Sequence, residues 1–162
     1  MATTTSVSDS KAGPKLKTLD PLVSLQEVPG EISLIFQITG CPHKCLGCHS
    51  LELWPENGVD LTLSKFLDEL SRYENYITCV CFFGGEWAKS SLIEYLEIAK
   101  AKKLKTCLYT GANSIHNDFY QYLNYLKTGP WVQSLGGLDS KNSNQIFYDL
   151  DKNVILNHVF QK

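Results

Sequence analysis

The sequence predicts an α/β protein, an incomplete, open parallel β/α barrel of about five or six strands in a single domain. Three observations predict it. Stretches with strand character alternate with stretches of helical period, and each of the first three strand-like segments ends in glycine. At 162 residues the chain is also well short of the ~250 that a closed eightfold barrel needs. Strand–helix–strand units of this kind form parallel sheets with right-handed crossovers.

The elements follow in order. Residues 1–22 are read as a disordered tail and residues 23–162 as the domain. The opening "MATTTSVSDSKAGPK" is small and polar, with no apolar segment, so it is not a secretory signal. "EISLIFQITG" (31–40) puts Ile32, Leu34, Phe36 and Ile38 on one face and Ile35 on the other, a strand covered on both sides. Gly40 closes it, and a cysteine-rich loop begins at once, ending near a turn at Pro55 and Asn57-Gly58. "LTLSKFLDELSRY" spaces Leu63, Phe66, Leu67 and Leu70 as a helix, with Thr62 as its N-cap. "YITCVCFFGG" (76–85) is a second buried strand. "KSSLIEYLEIAKAKK" returns to helical period through Leu92, Tyr95, Leu96 and Ala99, and "LKTCLYTG" (104–111) is a third strand. "DFYQYLNYL" offers Phe119, Tyr122, Leu123 and Leu126 as a further helical stripe, and "QIFYDL" (145–150) is the best remaining strand. No segment repeats at a fixed period.

Composition narrows the function classes. Hydrophobic residues make up 43% and charged residues 20%, the balance of a globular protein. A net charge of -2 and a pI near 6.1 give no basic field for nucleic acid, and "KAKKLK" (100–105) reads as a solvated helix end. No apolar run approaches the ~20 residues of a membrane helix. A cytoplasmic location is expected, where six cysteines serve as thiols or metal ligands rather than disulfides.

Ligand sites in parallel α/β folds lie at the carboxyl ends of the strands. "TGCPHKC", "FFGGE" and "LYTGAN" all fall there. Cys41, Cys45 and Cys48 follow C-x3-C-x2-C, three thiols that a compact loop can aim at one centre. Structural zinc would need a fourth ligand, for which His43 and His49 are poorly placed. A [4Fe–4S] cluster on three cysteines, with one iron left open, fits better. Cys79, Cys81 and Cys107 lie inside strands and read as core. Gly84 and Gly85 let backbone approach a ligand, and Glu86 accepts from a cation; alone, the segment reads first as a strand-to-helix turn, and beside the cysteine loop the functional reading prevails. Thr110 and Gly111 are placed to line a pocket, as are Asn144 and Gln145. His43 and His49 either tune a cluster or face solvent. Lys44 reads first as surface and second as a contact for an acidic electron donor. Trp54, Trp87 and Trp131 read as local packing, with Trp87 also able to wall a ligand site. No Ser/His/Asp spacing suggests a hydrolase.

C-x3-C-x2-C after a first strand, with "GGE" after the second, resembles the radical S-adenosylmethionine superfamily. Within it, "TGCPHKCLGCHS" followed by "ELW", then "FFGGE", "CLYTG" and "SKNSNQIFYDL", is similar to the activating enzymes of anaerobic ribonucleoside-triphosphate reductase. The resemblance covers roughly residues 28 to 150. It departs at Trp87, where the superfamily often has Pro, at Ile146, where the branch usually has Arg, and in having Arg72 as its only arginine. The resemblance implies that Cys41, Cys45 and Cys48 ligate a [4Fe–4S] cluster. It implies that S-adenosylmethionine chelates the open iron through its amino and carboxylate groups, and that its methionine end meets Gly84, Gly85 and Glu86; Thr110 is read beside them from its place at the end of the third strand. It further implies reductive cleavage to a 5′-deoxyadenosyl radical, and a glycyl radical on the large subunit of anaerobic ribonucleotide reductase. A flavodoxin or ferredoxin-type protein would supply the electron; neither nucleic acid nor membrane is an expected partner. Two other readings stand beside this one. One is a radical enzyme acting on a small molecule such as a deazapurine precursor, and the other is a non-catalytic metal-binding module.

Overall fold

The structure, a computed structural model, describes residues 15–161. In chain order the elements are β1 (Lys17–Thr18), β2 (Leu22–Ser24), β3 (Ser33–Gln37), β4 (Val59–Asp60), α1 (Leu63–Arg72), β5 (Cys79–Phe83), α2 (Lys89–Ala101), β6 (Lys105–Tyr109), β7 (Tyr125–Thr128), β8 (Ile146–Asp149), β9 (Val154–Ile155) and α3 (Asn157–Phe160). Short 3-10 segments at Leu51–Leu53 and Asn117–Tyr122 complete them.

The main sheet runs β2-β3-β5-β6-β7-β8-β9. Its centre, β3-β5-β6-β7, is parallel, as the alternation of strands and helices predicts. The edges are antiparallel: β2 on one side, β8 and β9 on the other. Among the described residues the sheet therefore has seven strands rather than five or six, and it is mixed rather than wholly parallel. β1 pairs separately with β4. Leu16 and Thr18 are buried, so the folded domain reaches back into the stretch read as tail; residues 1–14 lie outside the described residues.

Alternation along each strand divides the core between two faces. Leu34, Phe36, Val80, Phe82, Leu108 and Leu126 face the helices, meeting Phe66 and Leu70 of α1 and Leu92 and Leu96 of α2. Phe36, Phe66 and Phe82 form a ring cluster with centroids 5.2 to 6.1 Å apart. Thr62 caps α1, its hydroxyl accepting from the Lys65 N–H at 3.1 Å. The opposite face gathers Ile35, Cys79, Cys81, Cys107, Tyr125 and Phe147 beneath Val28. All three strand cysteines are fully buried there, as read.

One predicted helix does not form. "DFYQYLNYL" makes a 3-10 segment as far as Tyr122 and then enters β7. Phe119 and Leu123 do face the core, but Leu126 does so from a strand paired in parallel with β6. Asn124 makes the switch: its side-chain oxygen accepts from the Thr106 N–H at 2.9 Å and ties the chain to β6.

Candidate active site

The carboxyl ends of the parallel strands open into a cavity of about 380 Å³. Register sets its floor. Phe83, Tyr109 and Lys127 are consecutive partners across β5, β6 and β7. All three line the cavity, and the Phe83 and Tyr109 rings stack with centroids 4.7 Å apart.

The cysteine loop forms one wall. It leaves β3 through Gly40 at φ +82 and is tied to the following segment, with the Cys41 N–H donating to Leu53 O at 2.9 Å. Left-handed Lys44 and Gly47 turn the chain between the thiols, and Cys48 N–H donates to Cys45 O at 3.1 Å. Cys41, Cys45 and Cys48 are half-buried and all line the cavity. Burial pushes the Cys41 thiol up, against the backbone N–H groups of His43 and Lys44.

The glycine-glutamate turn forms the next wall. Gly84 (φ +83) must be glycine twice over, since a Cβ there would also meet the Trp87 ring at 2.7 Å. Gly85 is placed differently from its neighbours: it looks onto Ile38, Leu16 and Leu92 and does not line the cavity. Glu86 is the junction of the site. Its Oε1 accepts from the Thr110 hydroxyl at 2.6 Å and pairs with His43 Nε2 at 2.7 Å, while Oε2 is buried without a partner. Thr110 therefore acts through Glu86, and its own hydroxyl accepts from the Ala112 N–H. Gly111 makes room for His43, whose ring would lie 3.1 Å from a Cβ.

The loop between β7 and β8 closes the far side. Gly47 faces it across the gap, with Trp131 Nε1 3.6 Å from where a Cβ would stand. The His49 ring meets Trp131 edge-on at 4.2 Å. Gln145 lines the cavity, whereas the Asn144 amide fastens the loop by donating to Pro130 O at 3.0 Å.

Sequence reasoning missed Lys127, Tyr109 and Phe83, and read Trp54 and Trp131 as local packing only; both line the cavity, as does Trp87, for which a walling role was the second reading. Lys127 Nζ donates to Gly129 O at 3.1 Å, and burial pulls its ammonium down to about 8 against the pull of Cys45, Cys48 and Glu86. The available signal was alternation, which puts Lys127 on the same face as Tyr125.

The residues present suit an iron–sulfur cluster with an amino-bearing cofactor. Three thiols border one space, two indole N–H groups (Trp54 and Trp131) are buried without an acceptor, and one Glu86 oxygen is buried without a donor. Sulfur would satisfy the former and an ammonium the latter. Among the described residues no three His, Cys, Asp or Glu side chains converge tightly enough for a single metal ion. A cluster does not ask for that, because each cysteine reaches a different iron.

A family model, that of the 4Fe–4S single cluster domain, matches residues 29–147. Among solved structures, QueE from Escherichia coli superposes with a TM-score of 0.51 at 14% sequence identity, over 61% of this chain and 54% of that one. The chain thus spans about half the length of that protein, and at this identity the likeness is one of fold. No curated protein matches.

Proposed function

The chain belongs to the 4Fe–4S single cluster domain family, and on that premise we propose that it is a radical S-adenosylmethionine enzyme. In this reading Cys41, Cys45 and Cys48 hold the cluster, and the substrate is a glycine of the anaerobic ribonucleotide reductase large subunit. A flavodoxin or ferredoxin-type donor supplies the electron. The observation that carries the reading is the meeting of three half-buried thiols and the partnerless Glu86 oxygen in one cavity.

Cluster and cofactor, when bound, would supply one-electron cleavage of a sulfonium–carbon bond and hydrogen abstraction from carbon. The protein supplies the setting. His43 and Thr110 hold Glu86 Oε1, which leaves Oε2 to accept from an N–H of the cofactor's amino group. Lys127 offers a cation opposite the thiolates and suits an anionic group such as a carboxylate. Phe83, Tyr109 and the tryptophans exclude water from the reacting atoms.

Two features favour a protein substrate over a small one. The cavity, about 380 Å³, lies near the low end for small-molecule sites of ~300–1,000 Å³, and cluster and cofactor would both occupy it. A deazapurine-sized second ligand would have to share that space. Leu46 and Leu51 also stand 90% and 56% exposed beside the cysteines, apolar surface that a docking protein would cover.

The test is anaerobic incubation of the reconstituted protein with the reductase subunit, a reductant and S-adenosylmethionine. A glycyl radical signal on the reductase, absent with Cys41→Ala, is expected. Cofactor cleavage with no radical on the reductase would overturn this choice of substrate.

A further inference from the structure

We propose that Trp131 is an N–H donor to the sulfur of the cluster, reaching it from the loop after β7 across Gly47, and that this bond raises the cluster's reduction potential. The inference rests on the proposed ligation by Cys41, Cys45 and Cys48.

An indole nitrogen can only donate. That of Trp131 is buried with no partner, although the residue sits on the wall of a cavity bordered by three thiols. Its position is built from two sides. Gly47, between the second and third cysteines, has no side chain, and its φ of +73 suits glycine; a Cβ there would stand 3.3 Å from Gln133 Oε1 and 3.6 Å from Trp131 Nε1. His49, just past the third cysteine, holds the ring edge-on at 4.2 Å and 76°. Behind the loop, Gly129 (φ +104) and the Asn144 amide bond to Pro130 O fix where Trp131 begins. A buried donor with no acceptor is unfavourable, and the thiolates and sulfides of a cluster are acceptors. Hydrogen bonds to those sulfurs favour the reduced, more negative form and so raise the potential. Trp131 thereby tunes the site as well as covering it.

The test uses Trp131→Phe, which keeps an aromatic ring and loses the N–H, reconstituted anaerobically beside the wild type. Potentiometric titration, read by electron paramagnetic resonance of the reduced cluster, should show reduction about tenfold less favourable, a downward shift of about 59 mV for one electron. An unchanged or higher potential in the loaded variant overturns the proposal. Should that variant fail to take up a cluster, wild-type protein carrying 15N at its indole positions decides. A 15N hyperfine coupling in the reduced state that survives in Trp54→Phe and Trp87→Phe supports the donor. No coupling, or its loss in either of those variants, overturns it. A wild type that takes up no cluster would instead refute the ligation, so the two failures are distinguishable.

Discussion

Glu86 shows how much one residue's environment decides. A carboxylate with one oxygen bonded twice and the other buried without a partner is poised for a cation. Glu86→Gln keeps the size and loses the charge. Charge-assisted hydrogen bonds contribute about 1.5–3 kcal/mol, so S-adenosylmethionine should bind the cluster-loaded variant at least about tenfold more weakly. Equilibrium dialysis measures this, and an unchanged affinity would remove Glu86 from the cofactor site. Lys127 gives a pH-dependent prediction. Its ammonium is held at about 8 by burial, against an ordinary 10.5. Between those values the unfolded chain binds the proton and the folded chain does not, so stability of the cluster-free protein rises with pH across that window. Below it, charging Lys127 costs the fold about 3 kcal/mol, more than the about 1 kcal/mol its bond to Gly129 O returns. Lys127→Met should therefore raise the unfolding midpoint at pH 7 and flatten the rise above pH 8; a variant less stable at pH 7 contradicts the assignment. The cysteines were legible in the sequence because their grouping is local. Lys127 was not, because a single lysine in "YLKT" reads as an exposed position until the strands on either side are known.

The central strands and both long helices follow from local pattern, because alternation and helical period each report a face that must be buried. The helix α1 makes this quantitative. Phe66 is fully buried against Phe36 and Phe82, with Tyr95 at 4.7 Å. Phe66→Ala should cost about 3–5 kcal/mol in denaturant unfolding, and a loss under 1 kcal/mol would mean that α1 is not packed as described. Where pattern failed, the cause was pairing distant in sequence. "DFYQYLNYL" has a helical stripe, yet hydrogen bonds from β6 and β8 draw its second half into the sheet. The edge strands β2 and β9 are only three and two residues long, too short for alternation to show. The pocket role of Trp131 was hidden for a related reason. Its position depends on the loop between β7 and an antiparallel β8, a return of the chain that local propensity does not encode.

At the scale of the molecule, a four-stranded parallel centre sends three loops to one end, and those loops carry "TGCPHKC", "FFGGE" and "LYTGAN". Their convergence was readable from sequence because glycine closes each strand at its carboxyl end. On the fourth side, from β7 and its loop, Gln145 was readable as pocket-lining, while Lys127 and Trp131 were not. The antiparallel edges leave the sheet open rather than closed, which suits a substrate admitted from outside the fold. The proposed chemistry is cleavage of S-adenosylmethionine at this end of the sheet. It is tested most directly by reconstituting the protein anaerobically with iron and sulfide, reducing it with dithionite, adding S-adenosylmethionine, and quantifying 5′-deoxyadenosine. The wild type is expected to give 5′-deoxyadenosine and methionine in equal amounts, and Cys41→Ala neither. A wild-type protein that carries a [4Fe–4S] cluster, binds the cofactor and yields no 5′-deoxyadenosine would contradict it.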